Sequence, residues 1–474
     1  MQTVRWRPYV FSGLMALVLS VAIASFGQTG ILLGVVLMAG ITALFAASAK
    51  RTALICLGVL ALGLSPFFLG LDLNAPGLFP KIFYDELPLI LLVGLGAVDL
   101  LLGQHPAPQP KYWVWPGIGL LALTLPLLFN DLTYVAVRTY LETAVFGYLL
   151  YFIMLLETPE AKAEAICTAL VVMTVALSLL GLAEYVLKQN PVLENAVQDG
   201  VVGFTYFSPK LMSQLKASYR PYITFFHPSE AGTFVAMGLP FVLRAARSMT
   251  RKALGAVLVC LVLACIIVDF TRGVWVALII AGLIFYPKIR PWVLLAGILA
   301  IGGMAIMTTA APDSPFLKRM FDPTNLYIRF FYWKVGLNVF ADNFLFGVGY
   351  MNFKQVYLSY VGTVSPELLT EIGKIFVADN FLLTVAIEHG VVGLIGLALL
   401  FGLPAVFVWR GLRGQGLTWN SAKDTMPVAV LMALGIYLAS GLLVDVHDFA
   451  KATKLYFILA GFGVALMHAK RPVS

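Results

Sequence analysis

Charge is what this sequence has least of. Lys, Arg, Asp and Glu make up 12% of its 474 residues, about half of the roughly 25% usual in soluble domains. A soluble protein of this length would lack the charge to cover its surface. Cysteine is nearly absent as well. Cys56, Cys167, Cys260 and Cys265 all fall in apolar runs, without the spacing of a zinc site or a loop disulfide. No GxxxxGK(S/T) loop is present and no soluble domain is expected at either end, so ATP hydrolysed by this chain is not its expected energy source. What the chain has is apolar residues, 60% of the total. One membrane helix needs about 20 of them, so the content suffices for roughly fourteen spans. The runs are continuous rather than alternating, which excludes an outer-membrane barrel. A soluble enzyme, a disordered chain and a single-anchor protein are excluded too. The expected class is an all-α polytopic membrane protein forming one transmembrane domain over residues 1–474, with about 12–14 spans.

Candidate spans fall at 9–26, 29–48, 52–70, 84–103, 113–129, 140–156, 163–187, 222–243, 253–270, 273–287, 291–309, 390–409, 426–443 and 455–468. The first follows Arg5 and Arg7 but lacks a small-residue cleavage site, so it reads as a retained helix. One set of short loops holds Arg5/Arg7, Lys50/Arg51, Lys162, Arg244/Arg247/Arg251/Lys252, Lys288/Arg290, Arg410/Arg413 and Lys470/Arg471. The positive-inside rule makes that set cytoplasmic, with both termini. The net charge of +8 is then a topology signal and a means of meeting anionic lipids or phosphates, not a nucleic-acid footprint. Two long loops, 188–221 and 310–389, land outside. Structureless loops of such length are uncommon unless functional. Leu326, Phe330, Trp333, Leu337 and Phe340 recur at helical spacing, so the larger loop is expected to be partly helical and to lie over the membrane surface.

The polar residues left at these outer segments are the candidates for chemistry. Arg272 sits between two apolar runs in Asp269-Phe270-Thr271-Arg272-Gly273-Val274-Trp275; a charge near membrane depth usually has a partner or a function. The alternative is a snorkelling Arg paired with Asp269. Arg220 and His227 flank the start of the eighth span, followed by Pro228, Ser229 and Glu230. The large loop holds Arg319, Arg329, Lys334 and Gly347-Val348-Gly349-Tyr350. Arginine forks match phosphate oxygens with paired donors; the alternative is a solvated basic face. Asp379, Asn380, Glu388 and His389 lie before and at the start of the twelfth span. Asp379 or Glu388 could act as a general base, or Asp379 and Asn380 could cap a helix. Asp445, His447 and Asp448 form one more polar cluster. The set suits an anionic, phosphate-bearing ligand reached from outside.

Four blocks in order resemble the O-antigen ligase and O-antigen polymerase superfamily of bacterial inner membranes. They are Phe226-His227-Pro228-Ser229-Glu230-Ala231-Gly232 with Leu239-Pro240; Thr271-Arg272-Gly273-Val274-Trp275; Arg329 and Trp333 with Asp342 to Gly349, Asn352 and Phe353; and Asp379-Asn380 with Glu388-His389-Gly390-Val391-Val392-Gly393. The resemblance spans about 220–395. It implies a GT-C-like, inverting glycosyltransferase of the inner membrane with its active site on the periplasmic side, no cofactor and no metal. It implies a glycan donor on undecaprenyl diphosphate, a glycan or lipid A-core acceptor, surrounding lipids, a chain-length regulator and no nucleic acid. Arg272 and Arg329 match the family's functional arginines, with Arg220 and Arg319 as further diphosphate contacts. Ligases carry a His in the fourth block, where this chain has Val377-Ala378-Asp379-Asn380. The base is then Asp379, Glu388, His227 or His389, or none is needed. The missing His favours a polymerase over a ligase that moves glycan to lipid A-core. A carrier or flippase for a lipid-linked glycan or anionic solute is the reading of another class, disfavoured because no repeat relates the two halves.

Overall fold

The computed structural model describes residues 50–66, 70–72, 81–102, 108–131, 133–156, 162–190, 219–225, 227–285, 290–291, 324–364, 380–414, 425–446 and 449–468. The expected spans at 9–26, 29–48 and 291–309 lie outside the described residues. The rest is almost wholly helical, because within a bilayer a backbone has no water to bond and must pair internally. The helices are α1 (Lys50–Leu64), α2 (Leu87–Leu101), α3 (Pro110–Leu128), α4 (Tyr134–Leu156), α5 (Ala163–Leu187), α6 (Pro228–Ser248), α7 (Lys252–Val268), α8 (Arg272–Phe285), α9 (Thr324–Asp342), α10 (Phe353–Val364), α11 (Phe381–Gly414), α12 (Met426–Gly441) and α13 (Ala450–His468). A small antiparallel hairpin, β1 (Gly70–Asp72) with β2 (Lys81–Phe83), joins α1 to α2 with Leu71 opposite Ile82. Among the described residues, α3, α4, α5, α11 and α13 are long and apolar enough to cross a membrane, and α1, α2, α7, α8 and α12 are apolar but shorter. The chain is an all-α polytopic membrane protein.

The centre of the bundle is α13, where Leu455, Tyr456, Phe457, Ile458, Leu459 and Ala460 are fully buried. It packs against α4, α12 and the second half of α11. The outward faces of α2, α3, α5 and α7 leave Leu91, Leu121, Val186 and Val257 exposed, as lipid-facing positions require and a water-facing surface would not. The helical spacing of 326–340 is realised as α9. With α10 it forms a second core of Tyr332, Val335, Val339, Phe353, Tyr357 and Val361, closed by Ile387 of α11.

Helix α11 begins at Phe381, nine residues before the expected start at 390. The Asn380 side chain caps it, accepting from the Leu383 amide at 3.0 Å. Glu388 and His389 are therefore inside a helix and buried. The polar pair hid the helix from a hydropathy reading. At Gly390 the helix breaks, with φ 66° and ψ −162°. The connection between α9 and α10 takes up the backbone groups freed there. Val348 and Gly349 amides donate to the carbonyls of Ile387 and Glu388 at 2.9 Å. The amides of Val391 and Val392 donate to Phe344 and Leu345 carbonyls at 2.8 and 3.3 Å. A Cβ at Gly390 would run into the Leu345 carbonyl, and one at Gly347 (φ 65°) into the Glu388 carbonyl. Two left-handed glycines thus let two backbones dock directly.

The two ends of the bundle differ. At one end Arg51 pairs with Asp99, and Arg244 with Glu164, while Arg247, Arg251, Lys252, Arg410 and Arg413 are exposed. The opposite end carries the polar network described below. Gly390→Ala is expected to destabilise the protein in detergent by about 1–3 kcal/mol. Gly94→Ala, where a Cβ meets nothing within 4 Å, should be neutral or slightly stabilising. Thermal unfolding followed by tryptophan fluorescence would show both.

Candidate active site

The opposite end is organised by Arg220. Its Nε donates to the Asp269 carbonyl at 2.7 Å, and one terminal nitrogen donates to Thr271 Oγ1 at 2.6 Å and Ser229 Oγ at 3.2 Å. The same nitrogen lies 3.9 Å from the Asp269 carboxylate. That carboxylate also accepts the Thr271 hydroxyl. One guanidinium therefore ties the segment before α6 to the first turn of α6 and to the α7–α8 connection. Asp269 is thus held by both Arg220 and Thr271. Arg272, the first residue of α8, is exposed.

Arg329 of α9 donates to the Leu443 carbonyl at 3.1 Å. Gly273, next to Arg272, faces Leu443 and Val444, so closely that a Cβ would meet Val444 at 2.7 Å. Arg329 and the backbone next to Arg272, 57 positions apart in sequence (329 − 272), thus border one turn, the connection from α12 to α13. Asn380 reaches the same turn through the Leu442 carbonyl at 3.0 Å. Thr384 donates to the buried Asp445 carboxylate at 2.5 Å. His227 is exposed, its ring stacked on Phe449 at 6.1 Å. Its Nδ1 accepts the Ser229 amide at 3.1 Å and so caps α6. That bond places the proton of the neutral ring on Nε2. To take up a proton at Nδ1, His227 must release its cap. His389 is buried against the Leu123 carbonyl at 3.1 Å and beside Tyr350.

A network that sequence reading missed lies deeper at this end. Lys454 of α13 is fully buried and meets Glu86 at 2.7 Å, Glu142 at 3.2 Å and Asp85 at 4.0 Å. One turn earlier, the Lys451 ammonium is held by the carbonyls of Ser65 and Thr224. Glu230 of α6 accepts the Lys451 amide at 3.1 Å, which makes it a cap on α13 from a neighbouring helix. The network joins α1, α2, α4, α6 and α13. A signal was present: Lys451 and Lys454 stand at i, i+3 where an apolar run begins, and Glu142 stands within another. Ionisable residues in such runs are functional or paired. Their partners, 312 and 368 positions away, could not be read from spacing.

Of the predicted residues, the structure brings Arg220, His227, Arg272, Arg329 and the start of α11 to one end of the bundle. Glu388 is on the buried part of α11 beside the Gly390 break. Asp379, Arg319, His447 and Asp448 lie outside the described residues. Among the described residues, no group of three or more His, Cys, Asp or Glu is placed to hold a metal ion.

Fold and site together define a polytopic helical membrane protein whose polar groups are gathered at the end opposite its basic loops. Residues 256–398 match the family model for O-antigen ligase. This supports a place in the O-antigen ligase and polymerase superfamily, the group that the four sequence blocks resemble. No curated protein matches the chain. The matched segment carries the Arg272 turn, Arg329, the docking loop at 343–352 and the Gly390 break; Arg220, His227 and Lys454 lie outside it.

Lys454→Met removes the cation that Glu86 and Glu142 surround. Breaking one side of a buried ion pair is worth about 3–5 kcal/mol of stability, so this variant should accumulate poorly and unfold at lower temperature. Adding Glu142→Gln should restore part of the loss, as read by size-exclusion profile and thermal unfolding.

Proposed function

We propose that this protein is a glycosyltransferase of surface-polysaccharide synthesis that joins undecaprenyl-diphosphate-linked repeat units at the periplasmic face of the inner membrane. The observation that carries the reading is that Arg329 and Gly273, the neighbour of Arg272, both inside the segment that matches the O-antigen ligase family, reach the Leu443 turn. The basic loops at the other end make that end cytoplasmic by the positive-inside rule, with both termini, which puts the arginines outside.

The chemistry that suits this site is attack of an acceptor hydroxyl on the anomeric carbon of the donor. The bond from that carbon to the diphosphate oxygen breaks, undecaprenyl diphosphate leaves, and the anomeric configuration inverts. Arg272 and Arg329 offset the charge that builds on the leaving phosphate, with Arg220 and Arg319 as further contacts. Preorganised positive groups aimed at developing charge often contribute more to rate acceleration than any other single effect. The hydroxyl proton passes to a base drawn from Asp379, Glu388 and His227. No metal or other cofactor takes part. The acceptor is another lipid-linked glycan in the polymerase reading. The alternative, transfer to lipid A-core, is favoured by the name of the matching family. The absent His at 377–380 favours polymerisation. A chain-length regulator is the expected protein partner.

Deletion of the gene followed by a glycan gel separates the readings. Loss of the long ladder with one repeat left on the acceptor is the polymerase outcome; loss of all glycan on lipid A-core is the ligase outcome. Accumulation of lipid-linked units facing the cytoplasm would overturn both in favour of a flippase. In the purified protein, Arg272→Ala and Arg329→Ala should each lower transfer by at least about 100-fold with unchanged thermal unfolding. Normal polymer length in either variant would remove that arginine from the mechanism. Transfer should persist in a chelator, and inhibition reversed by a divalent ion would contradict the metal-free reaction.

A further inference from the structure

Helix α5 ends beside the Arg220 clamp, outside the segment that matches the family. Its buried Glu184 accepts the Tyr219 hydroxyl at 2.7 Å, the Tyr222 amide at 2.9 Å and the Ile223 amide at 2.7 Å. Asn190, just past the helix, donates to the Ile223 carbonyl at 3.1 Å. The carboxylate therefore fixes the backbone of the segment that presents Arg220. It fixes it in an uncommon shape: Ile223 has φ 58°, a left-handed conformation that a β-branched residue rarely takes. Phe270, at the α7–α8 connection, is left-handed too, with φ 56°. Its ring meets Tyr185, the neighbour of Glu184, at 6.3 Å. Gly181, one turn earlier, lies against both Cys265 of α7 and the Ile223 side chain.

The last two turns of α5 thus hold two left-handed residues. One is three residues after Arg220, whose guanidinium reaches Asp269, Ser229 and Thr271. The other is two residues before Arg272. Strained backbone of this kind persists only where surrounding contacts over-determine it, and it clusters at sites that need preorganisation. We propose that Glu184 is a positioning residue: through the Tyr219–Ile223 segment and Arg220 it sets the α7–α8 turn so that Arg272 stands ready for the donor diphosphate. This rests on the glycosyl-transfer reading. Glu184 does not touch the reacting atoms; it acts through Arg220.

The test uses the full chain in detergent or proteoliposomes, as Glu184→Gln, Glu184→Ala and Glu184→Gln with Ile223→Gly. Glutamine turns one acceptor oxygen into an NH2 group that faces backbone amides, while glycine adopts the left-handed shape without help. Glu184→Gln should lower kcat about 10–100-fold, as misplacement of a catalytic group does, with KM for the lipid-linked donor little changed. The double variant should recover a substantial part of kcat. Hydrogen exchange should quicken in both single variants at 222–223 and at 270–275, and slow again in the double variant. Faster exchange at 222–223 alone, with 270–275 unchanged, would overturn the coupling. Unchanged kcat, or a loss that Ile223→Gly does not relieve, would overturn the positioning role. If the unaltered protein transfers no glycan, the glycosyl-transfer reading and the donor role fall together. The exchange measurement then still decides whether Glu184 sets the Arg272 turn.

Discussion

Lys454 is fully buried on a helix whose middle is apolar, with Glu86 at 2.7 Å and Glu142 at 3.2 Å. The constraint it obeys governs the rest of the molecule: a charge or a backbone group withdrawn from water must bring its partner with it. At the end of the bundle where α13 starts, that rule produces cross-helix ties rather than local ones. Lys454 binds α13 to α2 and α4. The Lys451 ammonium reaches the end of α1, and Glu230 caps α13 from α6. Arg220 binds the start of α6 to the α7–α8 connection. Remove any one and a buried or half-buried polar group loses that partner.

The same rule explains how irregular backbone survives near membrane depth. The break at Gly390 would strand carbonyls and amides if α11 stood alone. The segment between α9 and α10 takes them up, and two left-handed glycines allow the approach. The polar end is therefore a layer of broken or terminating helices stitched together by side chains and loops. For the proposed substrate, a glycan on a lipid diphosphate, this layer is where arginines can be both anchored and reachable. Arg272 is exposed on an anchored turn; Arg329 is tied to the Leu443 carbonyl.

Much of the fold was legible in the sequence because hydropathy in a bilayer is nearly a direct readout. The run at 163–187 is α5 to the residue, and the spacing of Leu326 to Phe340 is α9. The start of α11 was missed because Glu388 and His389 interrupt its apolar run, and hydropathy cannot tell a buried polar pair from a loop. Of the site, the motif around Arg272 and the polar start of α6 stood out locally, since charged residues beside apolar runs are conspicuous. Glu184, Glu142 and Lys454 did not, because each gains its meaning from partners on another helix.

The sequence by itself determined that this chain is a helical membrane protein, where several of its apolar helices run and which loops are basic. These are properties of local composition, summed over a helix and compared with a bilayer of fixed thickness. Only the tertiary structure decided that Arg329 and Gly273, the neighbour of Arg272, both reach the Leu443 turn, that Arg220 clamps Asp269 and Thr271, and that Lys454 is surrounded by carboxylates. Those are contacts between groups 49 to 369 positions apart. A burial requirement states that each polar group needs a partner; only the packing of the helices selects which one.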